Sequence, residues 1–286
     1  MLLNSLALFI LPWALGFFLF LLGPILASLI LAFTRFDGLN LPIFIGMQNF
    51  DTALHDPVFW ASLKVTFVFA FVSLPLMTVL AIMLAVLLEQ KFFATNVFKV
   101  IFYLPTIIPI VASSVLWTWI FKADNGILNQ FLLWFFGLFG LEINAPLWLA
   151  DPQWALPALI LMSIWSIGNP MIIYLAGLQN IPESLYEAAE LDGANTVQKF
   201  FHITIPMLMP TIFFNVVIGT IQVFQYFVPA FVMTSGGPQN STMFYSLYTY
   251  QLAFDDFRFG YASALSWVLF LIIVVSTYLV FKLKSN

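Results

Sequence analysis

The sequence contains no cysteine, only two histidines, and charged side chains at just 8% of its 286 positions. Without cysteine there are no disulfides, thiolate metal sites or cysteine nucleophiles. The scarcity of charge excludes an ordinary soluble domain, in which roughly 25% of residues are charged. A net charge of −4 is too small to mark a nucleic-acid partner. No Lys follows a Gly, so the phosphate loop G-x-x-x-x-G-K-[ST] is missing and the chain carries no ATP site of that kind. No bound cofactor or metal is expected on it.

What the sequence does have is apolar length. Hydrophobic residues make up 62% of it, with 34 phenylalanines. A membrane helix needs ~20 apolar residues. Uncharged stretches of that length run over 6–33, 65–88, 100–121, 153–178, 203–231 and 259–281. They predict an all-α, polytopic membrane helix bundle of six transmembrane helices, a single domain over 1–286 with no separate soluble part. The uncharged start, Met1 to Thr34, is too long for a signal-peptide core and reads as a span that stays. The shorter apolar patch Ile127 to Leu141 fits an interfacial or re-entrant segment.

With the N-terminus inside, the inner side holds Lys91, Lys99, Lys199, Lys282 and Lys284, and the outer side Arg35, Lys64, Lys122 and Arg258. The inner loops are shorter and denser in basic residues, which predicts cytoplasmic N- and C-termini. His55 and His202 then lie on opposite faces, which excludes a bis-histidine haem. Every Asp, Glu, Lys and Arg falls in a loop or at a span end. A proton- or sodium-coupled carrier normally keeps an ionisable group within its spans, so the driving energy is expected to enter from outside them. Prolines such as Pro75, Pro105, Pro109, Pro157, Pro170, Pro206 and Pro210 predict kinked helices.

The inner loop of about residues 180–205 is the most polar long stretch on that side. Pro182 and Glu183 suit a first helical turn. Leu185, Ala188, Ala189 and Leu191 follow at near-helical spacing, and Gly193 stands where a left-handed cap belongs. Asn195 or Thr196 can cap a second short helix leading into the fifth span. The loop therefore predicts a helix–turn–helix knob that a soluble motor domain could grip. A merely solvated loop would have similar polarity.

Glu187-Ala188-Ala189, then Gly193, then Ile203, Ile205 and Pro206 resemble the EAA signature of permeases in binding-protein-dependent ABC importers. Ile205 stands where that family usually has Leu. Four further blocks are similar to the family's: Phe44 to Phe50 with Gly46 and Asn49; Tyr103 to Pro105 with Pro109, Trp117, Gly126 and Asn129; Thr234 to Pro238 with Ser241; and Gly260 to Ala264. The details resemble the carbohydrate-uptake branch, of the maltose-permease-F or glycerol-phosphate-permease-A type. That resemblance implies a type I ABC importer permease fold in a bacterial or archaeal cytoplasmic (inner) membrane. It implies a heterodimer with a second homologous permease subunit, two cytosolic ATPase subunits carrying ATP and Mg, and an extracytoplasmic solute-binding protein. By matching position, the loop is a coupling helix: Glu187 makes a polar contact with the ATPase, Ala188 and Ala189 permit close approach, and Gly193 makes the turn. Leu185, Ile203 and Pro206 belong to the same coupling set.

The fifth span is the richest in polar groups. Asn215, Gly219, Gln222 and Tyr226 follow i, i+4, i+7 and i+11 and are expected to share one face. Amides and a phenol suit the hydroxyls of a neutral polyhydroxylated solute. Gln225 and, from the third span, Thr106 are candidates for the same path. The rival reading is that these groups hold helices together. A secondary carrier or channel for a neutral solute is the alternative function.

Overall fold

The computed structural model describes residues 10–90 and 93–285. Residues 6–9 of the first expected span, and Lys91, lie outside the described residues. The described chain is helical apart from loops and one antiparallel pair, β1 (Thr34–Arg35) with β2 (Ile43–Phe44). Helix α1 (Ile10–Leu31) precedes that pair, and α2 (Gln48–His55) and α3 (Pro57–Glu89) follow it. The third span is α4 (Thr95–Tyr103), which runs through a 3-10 turn to Ile107, and α5 (Ile110–Ile120). A short apolar helix, α6 (Ile127–Gly137), stands apart from the spans. The fourth span is α7 (Pro152–Ile164) and α8 (Gly168–Gln179). Then come α9 (Glu183–Leu191), α10 (Thr196–Lys199), α11 (Ile205–Phe224), α12 (Val228–Met233), α13 (Tyr245–Phe254) and α14 (Phe259–Ser285).

Counting each bent pair as one, the described residues form six apolar spans, at the expected places. Their ends differ from expectation. The 33 residues of α3 rise ~50 Å at 1.5 Å each, well beyond a hydrocarbon core of ~30 Å. Lys64, expected just outside the second span, is inside this helix; its side chain is exposed and long enough to reach an interface. The third span bends by 101° between Ile107 and Ile110, where Pro105 and Pro109 supply no amide to continue the ladder. The fourth bends by 43° just before Pro170, whose ring would collide with the Ser166 carbonyl in an unbroken helix.

The two breaks touch. A Cβ on Gly168, the first residue of α8, would lie 2.6 Å from the Phe102 carbonyl oxygen, 2.8 Å from the Thr106 methyl and 2.9 Å from the Tyr103 Cα. Only glycine lets these backbones approach so closely.

The chain divides into two compact units, one drawn from Met1–Trp60 and Tyr248–Ile272, the other from Ala61–Leu247 and Ile273–Asn286. In the first, Asn49 is buried and its amide donates to the Ala32 and Thr34 carbonyls at 2.8 and 2.9 Å, fixing α2 to the end of α1. The core of the second is built from Ala81, Ile82, Ala85 and Leu88 of α3, Met171, Tyr174, Leu175 and Leu178 of α8, and Leu208 of α11. Phe200 and Ile205 pack against it, so the 180–205 loop is rooted in this core.

Candidate functional site

The 180–205 loop folds as two short helices held by their own ends. Pro182 is the N-cap of α9, with Glu183 in the first turn. At the other end Gly193 takes φ +81°, the Gly193 amide bonds the Glu190 carbonyl at 3.0 Å, and the Ala194 amide reaches the Ala189 carbonyl at 2.9 Å. Those two bonds make a Schellman cap. A Cβ on Gly193 would meet nothing within 4 Å, so conformation alone selects glycine here. Asn195 caps α10, its side chain accepting from the Gln198 amide at 2.9 Å while Gln198 accepts from the Asn195 amide at 2.8 Å. This is a reciprocal capping box.

Proline shapes the exit as well. Pro206 has no N–H to offer the His202 carbonyl, and the preceding turn opens into a π-helix, Phe200–Thr204, in which the Ile205 amide bonds back to Phe200. Ile203 lies in that turn and Pro206 begins α11.

On α9, Glu187 and Ala188 are exposed, Ala189 is half-buried, Leu185 is 40% exposed and Leu191 is 91% exposed. The helix thus offers a mixed small, apolar and acidic surface on a rigid two-helix hairpin. Lys199 pairs with Glu190 across the turn at 2.6 Å. By hydrogen bond and by charge, the Lys199 ammonium holds the Glu190 carboxyl below its usual range.

The polar face of the fifth span is dispersed. α11 ends at Phe224, because Pro229 offers no amide to the Gln225 carbonyl, and Tyr226 does not continue the face. The i, i+4, i+7 spacing holds for Asn215, Gly219 and Gln222 only. Asn215 donates to the Thr211 carbonyl of its own helix at 3.0 Å. A Cβ on Gly219 would come 2.5 Å from Leu74 Cδ1, so the gap it leaves is filled by α3. Tyr226 stacks among Phe69 and Phe244, with ring centroids 4.3 and 4.8 Å away, and its buried hydroxyl has no partner among the described residues. Gln222 and Gln225 are exposed. Thr106 donates to the Tyr103 carbonyl at 2.7 Å, at the break of the third span.

A model of the family of binding-protein-dependent transport system inner membrane components matches residues 77–284. The chain belongs to this family. As such it is a multi-pass permease subunit of an ATP-driven importer, a transport component whose energy comes from separate ATPase subunits. It is 44% identical over 281 residues to the probable ABC transporter permease protein YesP of Bacillus subtilis, covering 97% of this permease and 89% of that one. To the lactose transport system permease protein LacF of Rhizobium radiobacter it is 39% identical over 267 residues, 92% and 88% of the two chains. A bacterial alginate ABC transporter, solved in complex with an alginate pentasaccharide-bound periplasmic protein, superposes with a TM-score of 0.83 at 26% identity. That match covers 96% of this permease and 92% of that chain.

Some joints of the permease have no signal in its local sequence. Tyr186 bonds Thr204, and neither stood out by spacing. Asn129 is marked by its family block, but its partner Trp148, flanked by leucines, is not. The Trp148 indole donates to Asn129 at 2.7 Å, and the Asn129 amide also donates to the Ala123 and Pro146 carbonyls, seating α6. In the other unit Asp56 accepts from the Tyr248 and Tyr261 hydroxyls, the latter at 2.8 Å, and from the Val58 and Phe59 amides at 2.8 and 3.4 Å. Burial pushes the Asp56 carboxyl up, but these donors outweigh it and hold it below the usual carboxylate range.

Proposed function

We propose that this permease imports a carbohydrate or a related neutral polyhydroxylated solute, as a heterodimer with a second homologous permease subunit. Two cytosolic ATPase subunits, binding ATP and Mg, drive it, and an extracytoplasmic solute-binding protein delivers the solute. The whole chain, 1–286, acts as one transmembrane permease domain with both termini in the cytoplasm.

The observation that carries the reading is the capped hairpin of α9 and α10. A knob fixed at three chain ends can be pushed without unravelling, and its exposed face is sized for a cleft. Glu187 supplies the polar contact with the ATPase, Leu185 the apolar one, and Ala188 and Ala189 the close approach. Gly193 makes the turn, while Ile203 and Pro206 set the entry to α11. For a carbohydrate, the support is the lactose and alginate transport named for the relatives; for a neutral one, it is lactose together with exposed amides on a span free of charge. In this reading Gln222 and Gln225 face the path, Asn215 and Thr106 add polar groups beside it, and Gly219 and Tyr226 shape its wall.

The test is reconstitution in liposomes with the partner subunits, using a panel of labelled di- and oligosaccharides. Uptake should require enclosed ATP and persist without an ion gradient. Gradient-driven uptake by the permease without ATPase subunits would overturn the assignment. Glu187→Lys should insert normally and lose ATPase co-purification. Single cysteines replacing Ser184 and Ser241, in a chain with none of its own, should label from the inside and the outside respectively.

A further inference from the structure

The hairpin is tied to the fifth span by a contact between two residues that the EAA signature does not specify. Among the described residues, two side-chain bonds leave α9. The first, Glu190 to Lys199, joins α9 to α10, so both partners move with the hairpin. It is exposed and open to screening by salt. The second runs from Tyr186 to Thr204, hydroxyl to hydroxyl at 2.9 Å. Thr204 is 6% exposed, closes the π turn and immediately precedes α11.

The surroundings make that second bond consequential. A cleft of about 890 Å³, bordered by Glu89 of α3, Leu178 of α8 and Glu183 of α9, has Tyr186 and Thr204 in its wall. Along the chain, the route from α9 to α11 passes through Gly193, a turn with free space about it. That route is indirect, whereas the side-chain bond joins α9 straight to the turn before α11. The hydroxyl pair is part-buried, with Thr204 its buried partner, and it is a direct second link between the two. It also acts on the π turn, where the Ile205-to-Phe200 bond has replaced the ordinary ladder and helix register is easiest to change.

We infer that Tyr186 is a positioning residue for transport: through Thr204 it carries displacement of α9 into the π turn and so into α11. The inference rests on the docking of α9 proposed above. Without this bond, part of the displacement of the coupling helix would be taken up in the cleft beside it.

The test uses the assembled importer in membranes, with one cysteine replacing Gln225 and an impermeant maleimide as the probe. ATP with vanadate should speed labelling at that position in the wild-type background. Tyr186→Phe and Thr204→Val should each cut this ATP-induced gain about fivefold, the factor carried by one net hydrogen bond. The double variant should lose no more than either single one, because both remove the same bond. Thr204→Ser keeps the hydroxyl and should restore the gain. A full gain in both Tyr186→Phe and Thr204→Val overturns the inference, as does an additive loss in the double variant. Co-purification keeps the two readings apart. If Glu187→Lys still holds the ATPase at full yield, docking on α9 fails. If docking is lost there and Tyr186→Phe keeps the full gain, only the transmission contact fails.

Discussion

The hairpin of α9 and α10 and the polar face of α11 belong to one continuous stretch of chain, yet they are determined in opposite ways. The hairpin is made by its own backbone. A proline opens α9, a left-handed glycine closes it, and a capping box starts α10, with open space around the turn. The α11 face is made by its neighbours. Leu74 fills the gap at Gly219, and Phe69 and Phe244 enclose Tyr226. The hairpin keeps its shape by local bonds and leaves its surface free, as the docking proposed above requires. A segment inside a bundle takes its shape from what surrounds it, and its polar groups acquire meaning only there.

Variants on the two sides should therefore fail differently. The largest effect is expected for Gly219→Leu, which drives a side chain into Leu74. Overpacking of this kind costs about 1–3 kcal/mol or more, and the yield of assembled complex should drop before uptake per complex changes. Normal yield with blocked uptake would instead favour an open path at this position. Asp56 gives a reference outside both regions. Its depressed folded pKa stabilises above the unfolded value of ~3.9, and the contribution disappears as pH falls through the folded value. The melting-temperature gap between wild type and Asp56→Asn should thus stay constant from about pH 5 to 8 and narrow below about pH 4. A gap that persists in acid would deny the carboxylate its role.

Smaller effects belong to the hairpin. Gly193→Ala places a Cβ at φ +81°, a penalty of about 1–2 kcal/mol felt at the knob. ATPase co-purification should weaken while insertion and complex folding in detergent stay normal. Asn195→Ala removes the cap of α10 for about 1 kcal/mol, with the same pattern at lower amplitude. Least of all is expected from Tyr226→Phe, which deletes a buried hydroxyl lacking a partner among the described residues. Stability should be unchanged or up to about 1 kcal/mol higher. Lost uptake at unchanged stability would give that hydroxyl a place on the solute path.

What could be read from the sequence divides along the same line. The spans, the short α6, the hairpin, the glycine turn and the Asn195 cap depend on residues a few positions apart, and each was accessible to spacing and composition. The family blocks were accessible too, and Asn49, Asn129 and Gly193 prove to be joints of the fold. The remaining features depend on distant partners. Asp56 and Tyr248 are 192 positions apart. Nothing near Gly219 in sequence announces Leu74. Prolines announced kinks in general, but whether one bends a span by 101° or leaves it nearly straight depends on what packs into the break. Pro75, inside the long helix α3, breaks nothing.

The meeting of the two breaks at Gly168 limits how the permease can move. A span divided in mid-membrane gains a degree of freedom, since each half can swing about the division. Two divided spans would bring two independent freedoms. Here the division of the fourth span is seated on the Phe102 carbonyl and the Tyr103 Cα of the third, leaving no room between them for a methyl group. The start of α8 is thus seated on the end of α4, so displacement of either at this point is also a load on the other. Any bulkier residue at position 168 would force α8 away from the end of α4 and loosen that coupling.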